Sequence, residues 1–130
     1  MPSAQASSGT ITPNAGGCFG RWSRLGNVVT AWFQFQAASV AAPTGGLRVI
    51  GLPAGLGIPA NGVAAAFAWV PQAFNAAMTE APTGRIDVNE DPPQFRCFGY
   101  TAGNLVLVAN RVQAGSFFWA AATWNRGAGV

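Results

Sequence analysis

The amino-acid sequence predicts an all-β protein: a single antiparallel β-sandwich or jelly-roll-like domain with an extended N-terminal arm. Three observations predict this fold class. From Val28 to Gln36 the side chains alternate with a period of two, with Val29, Ala31, Phe33 and Phe35 on one face and Thr30, Trp32, Gln34 and Gln36 on the other, which is the period of a half-buried strand and of no helix. About eight segments of strand-like composition follow at short spacing, with turn-forming residues between them. No segment has helical periodicity, so strands must supply the core.

The first 17 residues differ in composition from the rest of the chain. They are mainly Ser, Ala, Gly, Pro, Thr and Asn, with hardly a large apolar side chain. Such a segment buries too little surface to offset its ordering entropy. We therefore predict an extended arm over residues 1–17, held by a neighbouring protein, and a β-sandwich domain over residues 18–130.

In the first half of the domain, the sequence predicts four strands. They are separated by a turn at residues 25–27, a loop at residues 43–46 and a glycine-rich connection at residues 54–62. The predicted strands are Phe19–Arg24, Val28–Gln36, Leu47–Leu52 and Val63–Val70, the last ending before Pro71. In the second of these strands the buried face is predicted to be Val29, Ala31, Phe33 and Phe35.

In the second half of the domain, the sequence predicts the remaining strands. A polar loop at residues 89–93, which carries Glu90 and Asp91, interrupts them. The predicted strands are Gln72–Thr79, Gly84–Asn89, Phe95–Tyr100, Leu105–Ala109 and Ser116–Trp124.

The composition indicates that other subunits cover much of the surface. Charged residues are only 8% of the chain, against about 25% in an ordinary soluble domain, while 50% are apolar. A chain with so few charges self-associates or lies in a membrane. Three prolines interrupt the uncharged stretch between Arg48 and Glu80, so no membrane helix and no membrane partner are predicted. We expect a homo-oligomer.

The positive charges and the cysteines give no sign of nucleic-acid or metal binding. The net charge is +3, but the seven arginines form no run, and a nucleic-acid interface needs a concentrated patch. We expect them to lie along strands or to pair with carboxylates. Cys18 and Cys97 lie far apart in the sequence, and we predict two buried free thiols.

The sequence lacks the side chains on which most enzyme sites depend. It contains no His and no Lys, which excludes histidine bases, histidine metal sites and lysine nucleophiles. Asp87, Glu90 and Asp91 are close enough in sequence to suggest a sugar-cleaving carboxylate pair, but a solvated turn is the favoured interpretation. We predict no enzyme, no catalytic, cofactor-binding or metal-ligating residue, and no cofactor.

All five tryptophans fall in predicted strands. Exposed Trp side chains bind sugars or form subunit interfaces, whereas buried ones pack the core. Packing, in the core or at a subunit contact, is favoured over sugar stacking for this set, which comprises Trp22, Trp32, Trp69, Trp119 and Trp124.

Two motifs resemble a small β-domain of tailed-phage virion proteins, especially the distal parts of tail fibres and tail spikes. The first, GRWSRLGNVVT in Gly20–Thr30, is similar to a strand–turn–strand pattern G-x-[YW]-x-R-x-G-[NR]-x-V. The second, Gly45–Pro53, is similar to G-x-L-R-[IV]-x-G-L-P. The resemblance covers residues 20–53. It implies a trimeric β-sandwich module on a virion surface and carries over no catalytic residue.

The resemblance leaves two functions open. We predict first a trimeric capsid decoration or cement protein that stabilises the head and contacts the major capsid protein, or another virion protein, through the N-terminal arm. The alternative is the receptor-binding tip of a short fibre or head spike that recognises a host glycan. Both predict a protein that assembles in the bacterial cytoplasm and lies on the virion surface.

Overall fold

The computed structural model describes residues 2–76 and 78–126, and these residues form eight strands and two 3₁₀ turns without an α-helix. The last four residues of the predicted domain lie outside this part. The eight strands pair antiparallel, so the predicted all-β antiparallel domain is confirmed. The strands are β1 (Ser3–Pro13), β2 (Phe19–Leu25), β3 (Val28–Ile50), β4 (Ala65–Gln72), β5 (Ala81–Ile86), β6 (Phe95–Thr101), β7 (Asn104–Val106) and β8 (Phe117–Asn125).

Two sheets share the strands β3 and β4. The first part of β3, Val28–Gln36, pairs with β2 on one side and β8 on the other. Its later part pairs with β1, and Leu47–Val49 also pairs with β6. Likewise β4 pairs with β5 through residues 65–68 and with β8 through residues 69–72. Sheet I therefore has the order β2-β3-β8-β4. Sheet II has the order β1-β3-β6-β5-β4, with β7 beside β6.

The alternation along β3 builds the core between the sheets. The four side chains predicted on its buried face are at most 2% exposed: Val29, Ala31, Phe33 and Phe35. The Phe33 ring lies 4.8 Å from the ring of Phe95 in sheet II and 6.0 Å from that of Phe118 in sheet I. Tilted and edge-to-face ring pairs of this kind add to the free energy gained by burial. The predicted period of two is therefore confirmed.

Two tryptophans belong to the core because their indole N–H groups find backbone acceptors there. Trp69 Nε1 donates to the carbonyl oxygens of Thr83 and Phe98, at 3.0 Å each. Trp124 Nε1 donates to the Leu56 carbonyl oxygen at 2.7 Å. A buried N–H without an acceptor would destabilise the fold, so these contacts allow the two large rings to be buried.

The predicted loop at residues 43–46 is wrong, because β3 continues through it to Ile50. The strand accommodates Pro43 by a bulge: the register with β1 jumps from Thr10↔Ala41 to Ser8↔Thr44 and leaves the proline without a directly opposed partner. Such a bulge is where a sheet tolerates a residue without an N–H. Turn-forming residues in this stretch bend a strand and do not end it.

The predicted strand Gln72–Thr79 is also wrong, since β4 runs through Pro71, ends at Gln72 and is followed at residues 73–76 and 78–79 by irregular chain; residue 77 lies outside the described residues. Ala73 has a left-handed backbone with φ of 56°. Its carbonyl oxygen accepts hydrogen bonds from Ser116 Oγ at 2.9 Å and Gln113 Nε2 at 3.0 Å. Hydrogen bonds from side chains to this carbonyl oxygen thus replace the backbone hydrogen bonds that a neighbouring strand would make.

Part of the N-terminal segment is integrated into the sheet. Residues 3–13 form β1, which pairs with β3 along its length, and Ala4 and Ile11 are buried in the core. The expectation that residues 1–17 lie outside the core is therefore wrong for these two side chains. Backbone hydrogen bonds to the bulged edge of β3 keep the segment in the sheet, although its side chains provide little apolar surface. Its role as an attachment arm stays a prediction.

Candidate functional site

The outward side of sheet I carries large apolar side chains. Paired residues of neighbouring strands share a side of the sheet, so one row runs from Phe19 through Gln34 and Trp119 to Val70, across all four strands. The rows on either side add two further rings. We call this set the aromatic face: Phe19, Trp32, Val70, Phe117 and Trp119.

The aromatic face is open to solvent and slightly concave. Phe19 is 51% exposed and Trp32 is 39% exposed. The rings of Phe117 and Trp119 lie 5.1 Å apart. A shallow groove of about 380 Å³ runs between these rings and Trp32, with Gln34 as its polar side chain. Exposed rings beside a hydrogen-bonding amide can contact either a sugar or another protein.

The aromatic face has very little charge. Among the residues that pair within sheet I, Arg21 is the charged residue on the outward side. The other polar residues of this side are neutral: Ser23, Thr30, Gln34, Gln36, Gln72, Thr123 and Asn125. A surface of this composition resembles the centre of a subunit interface, where charged residues are depleted.

The remaining exposed tryptophan, Trp22, lies on the other side of sheet I. In register it pairs with Ala31, which is buried, and as part of an edge strand its ring extends beyond the core. It lines a cavity of about 200 Å³ with Pro2 and Gly20, to which Trp32 also contributes. Of the five tryptophans, Trp69 and Trp124 therefore pack in the core, Trp119 is half-buried, and Trp22 and Trp32 are exposed, so packing of the last three at a subunit contact stays a prediction.

The three carboxylates that suggested a sugar-cleaving pair are held in structural contacts. Asp87 Oδ1 lies 2.8 Å from Arg85 Nε, and its Oδ2 lies 2.9 Å from Arg96 Nε. Glu90 pairs with Arg96 as well. Asp91 accepts hydrogen bonds from two backbone N–H groups of the glycine-rich connection, at 2.9 and 3.2 Å. None of the three lines the groove of the aromatic face.

The fourth carboxylate, Glu80, binds Arg111 through two hydrogen bonds of 2.7 and 2.8 Å. Hydrogen bonds from the Arg111 guanidinium are the main reason that the pKa of Glu80 is lowered from 4.5 to about 2. The same contact raises the pKa of Arg111. This bidentate pair joins the chain before β5 to the 3₁₀ turn Ala109–Arg111, so its role is structural.

The cysteines are both buried and free, as expected from their spacing. Burial raises the pKa of the Cys97 thiol well above its usual value, so this thiol is unreactive in the folded protein. Within residues 2–76 and 78–126, no three His, Cys, Asp or Glu side chains come together as metal ligands. The same residues contain no helix long and apolar enough to cross a bilayer.

Comparison with known proteins identifies a fold. No family model and no curated protein matches the chain. Among solved structures, the crystal structure of the Dettilon tailspike protein contains a segment similar to this chain, with a TM-score of 0.78 and 17% sequence identity. The chain has the fold of a tailspike segment. The match covers 96% of this chain and 22% of the tailspike, so the chain spans about a fifth of that protein's length.

Proposed function

We propose that the chain is a structural module of a tailed-phage virion-surface protein, and that it assembles with copies of itself, as a homotrimer, through the aromatic face. The observation that carries the proposal is the set of exposed and half-buried apolar side chains across sheet I, beside one charged residue, Arg21. The two motifs in residues 20–53 and the shared fold with a tailspike segment support a virion protein.

A second copy of the chain is the occupant that best fits the chemistry of the aromatic face. The face offers no pattern of charges that would select a charged partner. Removing its apolar surface from water contributes about 25 cal/mol per Å², and this gain needs no complementary charge. Aromatic side chains surrounded by neutral amides and hydroxyls are typical of the buried centre of subunit contacts.

Within the virion, two observations favour a spike or fibre over head decoration. The first is the shared fold with a tailspike segment. The second is that β1 pairs with β3 of its own chain, which leaves less of the N-terminal segment to contact the major capsid protein.

Particles stripped of this protein distinguish the spike from the decoration protein. For a spike or fibre module, heat release of DNA is unchanged while adsorption to cells is lost, and adding the protein back restores adsorption. A decoration protein gives the opposite result, because binding to the assembled capsid stabilises that state. If both properties are unchanged in stripped particles, the virion proposal is wrong.

A second candidate function is recognition of a neutral host glycan in the groove of the aromatic face. The observation that favours it is the arrangement of Trp32, Phe117 and Trp119 around Gln34, which gives rings for stacking and an amide for hydroxyl groups. Tryptophan fluorescence of the isolated protein, titrated with oligosaccharides from the host surface, tests this function. Self-association would cover the groove, so sugar binding that dissociates the oligomer would favour the glycan function over assembly.

A further inference from the structure

Three arginines lie side by side on the outward side of sheet II. Arg48 of β3 is directly opposite Arg96 of β6, and Arg96 is directly opposite Arg85 of β5. Their neighbours along the strands, such as Leu47 and Ile86, are buried, so the arginines point away from the core. Like charges in directly opposed positions destabilise a sheet unless other charges offset them.

Two carboxylates offset only part of this arginine row. Asp87 bridges Arg85 and Arg96, with distances of 2.8 and 2.9 Å, and Glu90 also pairs with Arg96. Among residues 2–76 and 78–126 no carboxylate pairs with Arg48, whose Nε donates to the neutral Gln5 Oε1 at 3.1 Å. The three arginines and two carboxylates therefore leave one uncompensated positive charge, at Arg48.

The chain has no carboxylate side chain left for Arg48. It contains four Asp and Glu residues, and all four are engaged elsewhere. Asp87 and Glu90 bind the other two arginines of the row, Glu80 binds Arg111, and Asp91 accepts backbone N–H groups. A second copy of the chain could supply a carboxylate side chain only by breaking one of these contacts. An acidic group of another molecule, by contrast, can pair with Arg48 without breaking any of them.

Arg48 faces a cleft that can admit such a group. The cleft has a volume of about 150 Å³, and the three arginines line it together with Ser7 and Gly46. Ser7 Oγ accepts a hydrogen bond from the Gly46 N–H at 2.9 Å, which fixes the hydroxyl at the edge of the cleft. The apolar wall consists of Phe98, Leu105 and Leu107.

We propose that this arginine cleft binds the carboxylate of a small acidic molecule with a neutral body, of the size of an acidic sugar. The planar guanidinium of Arg48 matches a carboxylate in two parallel hydrogen bonds, and the Ser7 hydroxyl can donate a third. The neutral body would lie on the exposed side chains of Leu105 and Leu107. With a net charge of one, the row is too weak to hold a polyanion such as nucleic acid.

Isothermal titration of the full chain with glucuronate at low salt tests the proposal, with glucose and sulfate as controls. We expect glucuronate to bind with a dissociation constant on the order of 1 mM, and glucose and sulfate to bind at least tenfold more weakly. Arg48→Gln should weaken glucuronate binding at least tenfold, because a hydrogen bond between charged groups is lost. Arg24→Gln is the matched control, since Arg24 donates to the Gly26 carbonyl away from the cleft.

Several outcomes would overturn the proposal. They are equal binding of glucuronate and glucose, sulfate binding as tight as that of glucuronate, and unchanged glucuronate affinity in Arg48→Gln. Arg48→Gln must retain the melting temperature of the wild type, and Arg48→Lys provides a second variant that keeps the charge. Arg48→Lys should bind more weakly than the wild type, because an ammonium lacks the planar pair of donors. The cleft and the aromatic face lie on different sheets, so either proposal can fail without the other.

Discussion

Trp32 and Phe33 are consecutive residues of β3, yet Trp32 is 39% exposed on the aromatic face while Phe33 is 2% exposed in the core. This contrast between neighbours is the direct consequence of the strand period of two. Phe33→Ala should lower the free energy of unfolding by about 3 to 5 kcal/mol, since it leaves a cavity between the sheets. Trp32→Ala should change it by less than about 1 kcal/mol in the isolated subunit. Urea denaturation at low protein concentration measures both, and equal losses would contradict the assignment of the two faces.

Ile11 should contribute to stability although it lies in a segment of low hydrophobicity. Its side chain is buried in the core, whereas that of Thr12 is exposed. Ile11→Ala is expected to cost about 2 to 5 kcal/mol, and Thr12→Ala, the matched control, less than about 1 kcal/mol. Thermal denaturation checks the pair. An Ile11→Ala variant with the melting temperature of the wild type would indicate that β1 is an arm that contributes nothing to the core.

The ion pair of Glu80 and Arg111 should make stability depend on pH. The pKa of Glu80 is about 2 in the folded protein and near 4.5 in an unfolded chain, so folding favours the ionised carboxylate. Its contribution is complete above about pH 5 and disappears as the pH falls towards 2. Glu80→Gln should therefore melt at a lower temperature than the wild type at pH 7, and the difference should shrink between pH 5 and pH 2. A difference that is constant with pH would contradict this account.

The two thiols should resist alkylation until the protein unfolds. Both cysteines are buried, and burial also raises the pKa of the Cys97 thiol. We expect no modification of the native protein by iodoacetamide, and two modified thiols after denaturation without reductant. Mass spectrometry measures the number of adducts. Failure to modify either thiol after denaturation would show that the protein contains a disulfide.

Much of the fold follows from local patterns in the sequence. Alternation predicts the buried face of β3, and it does so because one side of that strand packs against the core along Val28–Gln36. Local patterns predict a loop at Pro43, but β3 continues through this proline because it pairs with β1 on both sides of it. Local patterns also predict a strand after Gln72, but there the side chains of Ser116 and Gln113 bind the backbone and, among the described residues, no neighbouring strand pairs with it. These outcomes depend on partners distant in sequence, which composition does not reveal.

The candidate sites depend even more on register. Trp32 and Trp119 are visible in the sequence as strand residues, but their common side of sheet I follows from the pairing of β3 with β8. Arg48 and Arg96 appear scattered in the sequence, and only the pairing of β3 with β6 brings them together. A sequence without a run of charges can therefore still form a charged row.

The most direct test of the account is the mass of the protein in solution, measured by sedimentation at micromolar concentration. We predict a trimer of the 13.3 kDa chain for the wild type, and a folded monomer for Trp119→Glu, which places a charge in the centre of the aromatic face. Trp22→Glu is the matched control, because Trp22 is an exposed tryptophan of the same sheet that points to the other side. It should remain a trimer. A monomeric wild type, or a Trp119→Glu variant that sediments as the wild type does, would contradict the claim that the aromatic face assembles the protein.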